Sequence, residues 1–149
     1  ETHDLKLDAR LYYFRNSLQD KGLYHPEWVL DCEMNSPSAY ETLSRALKEW
    51  DQRPTALFIS SDAMVQGVLR ALDEAGLAIP EQISLIAFND TPLSQNATPP
   101  LSSVRVLQQE LAVASMTAMD LSRSGAQYPF KTVVPCIFVD RRSVTKAKK

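Results

Sequence analysis

Two apolar runs end in a polar pair: "TALFIS" runs into Ser61-Asp62, and "SLIAF" runs into Asn89-Asp90. Carboxylates at the ends of neighbouring strands can hold a divalent cation for phosphoryl transfer. Such a site also wants a D-x-D or a third acid and a positioned lysine, and no such set is visible. No G-x-S-x-G elbow or glycine-rich phosphate loop occurs, and a chain with four glycines can hardly build one. His3 and His25 fall outside the expected strand ends. The pattern therefore points away from an enzyme, and no metal or cofactor is expected. Local chemistry accounts for both aspartates: Asp62 as N-cap of the next helix, and Asp90 with Thr91 and Pro92 as an Asx-type turn at the edge of a cleft. Ser61 and Asn89, one residue nearer the strand, project differently and are the better candidates for touching a polar ligand.

The elements that place these pairs can be read from periodicity. Leu7, Leu11, Phe14 and Leu18 recur at helical spacing and Gly22 closes the run. "EWVLDCEM" is a short strand candidate. A helix follows, with Tyr40, Leu43, Leu47 and Trp50 on one face, Ser36 as expected N-cap and Pro37 at the first helical position. "TALFIS" and "ISLIAF" have the continuous apolar character of strands covered on both faces. Between them Met64, Val65, Val68, Leu69 and Leu72 form a helical stripe, ended by Gly76 as a left-handed cap. Then come "SSVRV", the helix in "LQQELAVASMTAMDLSRSG" and a last strand within "KTVVPCIFV". Strands separated by single helices predict an α/β fold: a mainly parallel sheet with helices on both faces. In such a sheet ligands bind at the carboxyl ends of the strands, where both polar pairs emerge.

The helix between Leu107 and Leu121 is apolar nearly all the way round, with Leu111, Ala114, Ala118 and Leu121 on one side and Val113, Met116 and Met119 on another. It needs partners on more than one side. Its partner is expected in a part of the molecule beyond this sequence, because the chain starts without Met almost directly in a helical pattern and looks cut from something longer.

Composition narrows the function classes. The chain has 149 residues, 44% of them hydrophobic and 23% charged, enough for one domain with a real core. A net charge of -2 leaves no basic face for a phosphate backbone, and "KAKK" at the end reads as a solvated tail. Cys32 and Cys136 sit inside apolar runs without C-x-x-C spacing and read as reduced core residues, which favours the cytoplasm. No run is long enough to span a bilayer and no signal peptide opens the chain, so no membrane is expected as a partner.

The stretch from Arg53 to Arg105, "RPTALFISSDAMVQGVLRALDEAGLAIPEQISLIAFNDTPLSQNATPPLSSVR", resembles the C-terminal core of the lactose/galactose/purine repressor (LacI/GalR) family. The family pattern there is P-T-A, an apolar strand, N-D-x-x-A-x-G, a helix, G-x-x-I/V-P-x-D-I/V-S-I/V, F/Y-D/N-D and P-P-L-T-T-V. "DARLYYF" is similar to the family's R-x-x-G-F helix and "FVDRRSV" to its closing segment; within the family the chain looks most similar to repressors of galactoside-utilisation operons.

The resemblance implies a type I periplasmic-binding-protein-like fold: two hinged α/β lobes, a small ligand in the cleft and a helix-turn-helix headpiece in front. On that frame residues 1–102 and 126–149 belong to the C-terminal lobe and residues 103–125 to the N-terminal lobe. The headpiece and most of the N-terminal lobe lie outside this chain. The implied function is a sugar- or small-metabolite-responsive transcriptional repressor, a cytoplasmic homodimer that meets operator DNA through the headpiece. A periplasmic-type solute-binding receptor for a sugar is the alternative. Arg10 matches the arginine that reaches into the family's cleft, where a guanidinium fork suits vicinal hydroxyls or a carboxylate. Asn89 stands where many sugar-responsive members have an aspartate, and an amide gives up the stronger bonds of an ionised acceptor. Ser61 replaces the usual asparagine. Met34 replaces an aromatic ring, losing its stacking geometry. These departures imply an effector other than a plain galactoside. The loop Thr91 to Pro100 is expected on the face where two C-terminal lobes pair.

Overall fold

The computed structural model describes residues 9–125 and 131–146. The elements run α1 (Ala9–Gln19), α2 (Ser36–Glu49), β1 (Ala56–Phe58), α3 (Val65–Glu74), β2 (Ser84–Asn89), α4 (Pro92–Gln95), β3 (Ser102–Val106), α5 (Gln108–Arg123) and β4 (Cys136–Val139), with 3-10 turns at Pro26–Trp28 and Asp62–Met64. The sheet order is β1-β2-β3-β4; the first three strands are parallel and β4 returns antiparallel to β3. Helix and strand alternate through β2 because a parallel neighbour requires a crossover.

Register sorts the strand side chains into two faces. Phe58, Ile86 and Phe88 share one face with Val104, and α1 lies there, its Phe14 ring stacked on Phe58 with centroids 5.4 Å apart. Leu57, Leu85 and Ala87 point the other way into the core, where they join Ala39, Leu43, Val65, Val68, Ala71 and Leu72 of α2 and α3. Gly67 sets how closely those two helices approach: a Cβ there would stand 2.0 Å from the Ser36 carbonyl oxygen. Gly76, at φ +67°, closes α3 as its position in the sequence requires.

Several local expectations change. "EWVLDCEM" forms no strand: a 3-10 turn at Pro26–Trp28 leads into irregular backbone with no sheet partner, although Leu30 and Cys32 still pack against the core. An extended segment becomes a strand only when a neighbour takes its backbone hydrogen bonds, and among the described residues β1 pairs with β2 alone. The cap of α2 is Asn35, whose side chain accepts from the Ser38 amide, not Ser36. Cys136 is exposed on β4, where burial was expected; Cys32 is half-buried. Leu7 and His3 lie outside the described residues, as do the last three lysine-tail positions from Ala147 onward. Helix α5 buries none of its residues, and Val113, Met116 and Met119 are about two-thirds exposed, at 64%, 67% and 65%. It does not sit deep in this domain.

The end of the chain is sewn to the sheet by polar contacts. Ser143 is fully buried; its hydroxyl donates to Leu85 O at 2.6 Å and accepts from the Ser102 amide at 2.7 Å, and its carbonyl accepts from the Leu85 amide. It occupies the place beside β2 that β3 has not yet reached. Next to it Asp90, its side chain fully buried, receives Arg105 Nε at 2.7 Å and Arg141 Nη1 at 2.6 Å and Nη2 at 3.1 Å. The expected Asx turn is therefore an ion cluster; Thr91 caps α4 instead. Burial works to raise the Asp90 pKa, but the Arg141 and Arg105 hydrogen bonds and charges outweigh it and hold the carboxyl below its ordinary 3.8.

Two outcomes follow. Gly67→Ala drives a methyl group into backbone and should cost about 3 kcal/mol, a fall in Tm of roughly 10 °C in thermal unfolding. Asp90→Asn keeps a residue type that tolerates the positive φ of +60° at this position while removing the charge. It should cost about 2 kcal/mol at neutral pH, because two arginines lose their counter-ion. Since the folded pKa is depressed, the stabilisation is full above the ordinary aspartate range and is lost as pH falls through the folded value; the gap between Asp90→Asn and the unaltered chain should close in melts near pH 3 or below.

Candidate functional site

The carboxyl ends of β1 and β2 lie side by side, and α1 brings Arg10 across them. Arg10 Nη1 donates to Ser60 O at 2.7 Å, and its guanidinium carbon lies 5.0 Å from the centroid of the Phe88 ring. Phe88 meets Phe58 edge-on at 6.4 Å, so Phe14, Phe58 and Phe88 form a continuous aromatic path beneath the helix. One turn separates Arg10 from Phe14 on α1, which places both on the same helical face.

Arg10 and Met34 line one cavity of about 660 Å³, enclosed by α1, the segment around Trp28 to Cys32, α2 and β1. Its walls are mainly apolar: Leu18, Leu30, Leu43 and Phe58 among others. Met34 is 59% exposed on its rim, so it is not a core residue. Asn89 faces a second concavity, of about 340 Å³, with Arg105, Gln95 and Gln108. Ser61 lines neither and is committed locally: its hydroxyl caps the 3-10 turn by accepting from the Ala63 amide at 3.4 Å. The four expected ligand residues are thus divided, Arg10 and Met34 at one cavity and Asn89 at the neighbouring one.

The aspartates behave differently from the expectation. Asp62 is 1% exposed and N-caps nothing in its own turn; its carboxylate accepts from the Thr91 amide and from the Ser94 hydroxyl. It ties the end of β1 to the loop after β2. Gln95 Nε2 adds a bond to Asp90 O at 2.7 Å, fixing that loop from its other side. Asn89 and Asp90 both take positive φ, 109° and 60°. Such backbone is costly for residues other than glycine and persists only where surroundings impose it. Here the Asp90 ion cluster imposes it, and it turns the chain sharply at the end of β2.

Sequence reasoning missed Ser60, Phe88, Arg105 and Arg141. Phe88 looked like a core residue within "SLIAF", and a backbone carbonyl carries no sequence signal at all. Arg141 could have been found, since an aspartate closing a buried strand demands a cation and "FVDRRSV" supplies two. Among the described residues no group of three or more His, Cys, Asp or Glu is placed to hold a metal ion, and no helix is long and apolar enough to cross a membrane.

Residues 1–144 match the periplasmic binding protein-like domain. The HTH-type transcriptional regulator GalR of Streptococcus thermophilus is 41% identical over 124 residues, 83% of this chain and 37% of that protein. The lactose operon repressor of Rhizobium radiobacter is 33% identical over 103 residues, 69% of this chain and 91% of that sequence. A solved transcriptional regulator LacI from Bacillus cereus subsp. cytotoxis superposes with a TM-score of 0.83 at 27% identity, covering 91% of this chain and 49% of that one. The chain therefore spans well under half of GalR and about half of the solved regulator. By its domain match and by its identity to these regulators, the chain belongs to the LacI/GalR family of transcriptional regulators and carries part of their periplasmic-binding-protein-like domain.

Proposed function

We propose that this chain is part of the effector-binding and dimerisation core of a sugar- or small-metabolite-responsive transcriptional repressor that works in the cytoplasm and catalyses no reaction. The observation that carries the reading is Arg10, presented at the carboxyl ends of β1 and β2 beside a cavity large enough for a mono- or disaccharide. A guanidinium fork matches vicinal hydroxyls, and the lactose operon repressor among the relatives supports a sugar as the ligand class. Met34 would pack against an apolar sugar face and Asn89 would bond its hydroxyls from the adjoining strand end. The regulator names of the relatives favour this over a solute-binding receptor of the same fold.

On this reading residues 1–102 and 126–149 form one lobe and the segment 103–125 leads to the other, the crossing falling after β3 and not at residue 103, since Ser103 to Val106 pair with β2 and β4 of the first lobe. The bare apolar surface of α5 supports that division, since a helix with exposed Val113, Met116 and Met119 needs a covering partner. Operator DNA is met by a helix-turn-helix headpiece, and two chains pair through the loop Thr91 to Pro100, whose Leu93 is 44% exposed while Ser94 beneath it is anchored by Asp62. Effector binding shifts operator affinity by its differential affinity for the two lobe arrangements.

In the regulator with headpiece and both lobes, D-galactose, lactose, cellobiose and D-ribose are the sugars to titrate against operator release. Arg10→Ala should raise the sugar concentration needed at least about tenfold, as loss of a hydrogen bond to a charged group implies, with operator affinity unchanged in the absence of sugar. No response to any sugar, or an unshifted curve in the variant, would overturn the assignment. Sedimentation of the 149-residue chain itself should give a mass that rises with concentration; a constant monomer would count against the pairing surface.

A further inference from the structure

Arg10 is on a helix, and the groups it would serve are at strand ends, so something must fix a long flexible side chain between them. We infer that Phe88 is a positioning residue for Arg10: its ring holds the guanidinium over the end of β2 while Ser60 O holds one nitrogen at the end of β1. The inference rests on the reading of Arg10 as an effector contact and deepens it, by naming the group that sets the specificity-bearing fork in place.

The geometry supports this on three counts. Arg10 and Phe14, one turn apart on α1, dock on Phe88 and Phe58, which stand two residues apart in register on adjacent strands with ring centroids 6.4 Å apart. Side chains four apart on a helix are spaced by roughly 5–6 Å, so the two pairs match in pitch and fix the rotation of α1 about its axis. The contact through the ring face uses none of the guanidinium N–H donors, which lie in its plane; one of them goes to Ser60 O at 2.7 Å. Phe88 directly precedes Asn89 and Asp90, whose positive φ values make the sharp end of β2. The ring is thus seated on the same rigid strand end as the Asp90 ion cluster, with Ala87 behind it fully buried. An aliphatic side chain at position 88 would fill space but offer the cation no negative ring face.

The test separates positioning from effector binding. In NMR spectra of the intact 149-residue chain the Arg10 δ and ε protons should be shifted upfield by the Phe88 ring current; random-coil positions would overturn the inference without any substitution. Phenylglyoxal modification of Arg10, followed by mass spectrometry, should run about fivefold faster in Phe88→Leu, the population change that a cation–π contact of ordinary strength supports, and return toward the original rate in Phe88→Tyr. Equal rates in the three proteins, at unchanged circular dichroism, would overturn it. In the whole regulator Phe88→Leu should raise the sugar concentration for operator release by a similar factor and Phe88→Tyr should restore it. A shielded Arg10 in a protein that answers to no sugar would sink the effector reading and leave the positioning role standing; a sugar response with an unshielded Arg10 would do the reverse.

Discussion

A carboxylate with no exposed surface governs the architecture. Asp90 ends the central strand in positive-φ backbone, and two guanidinium groups, from β3 and from the segment after β4, converge on it. Ionised and alone, a buried aspartate would be prohibitively costly; with Arg105 and Arg141 in place it fixes three separate stretches of chain relative to one another. The candidate site depends on that fixation. The end of β2 carries Phe88 and Asn89, and the loop after it is clamped by Asp62, Ser94 and Gln95.

Around this point the apolar and polar halves of the fold divide the work. The core between the sheet and α2 and α3 is sealed by Leu72, Ile83, Leu85 and Val65, and it gives the sheet one rigid face. The other face is only partly roofed, by α1, whose aromatic and cationic residues reach forward to the strand ends. A binding residue gains precision from rigid surroundings more than from its own chemistry. Arg10 stands at the border between the sealed and the open face.

The parallel strands and the helices were legible in the sequence because they are written in local periodicity: "TALFIS" and "ISLIAF" are continuous apolar runs and α3 has a clean stripe. The family pattern from Arg53 to Arg105 was legible too, and the matched domain bears it out. What failed depended on distant partners. "EWVLDCEM" has the composition of a strand, but strand formation needs a hydrogen-bonding neighbour that periodicity cannot supply. Asp62 and Asp90 have the residue types of local caps and turns, and nothing nearby in sequence announces that their partners are 29 and 51 residues away at Thr91 and Arg141. Cys136 sits in an apolar run that is nonetheless exposed, because among the described residues β4 has a neighbour, β3, on one side only.

The placement of Arg141 and Ser143 has a consequence for how the lobe closes. Ser143 completes the edge of β2 and Arg141 brings the second positive charge to Asp90, yet both lie more than fifty residues along the chain from the strand they serve. Until that segment docks, Asp90 has Arg105 to answer it but lacks its bidentate partner, and the β2 backbone has an open place beside Leu85. The central strand is therefore locked by contacts of long sequence separation, which form late when a chain folds because their loops are costly to close.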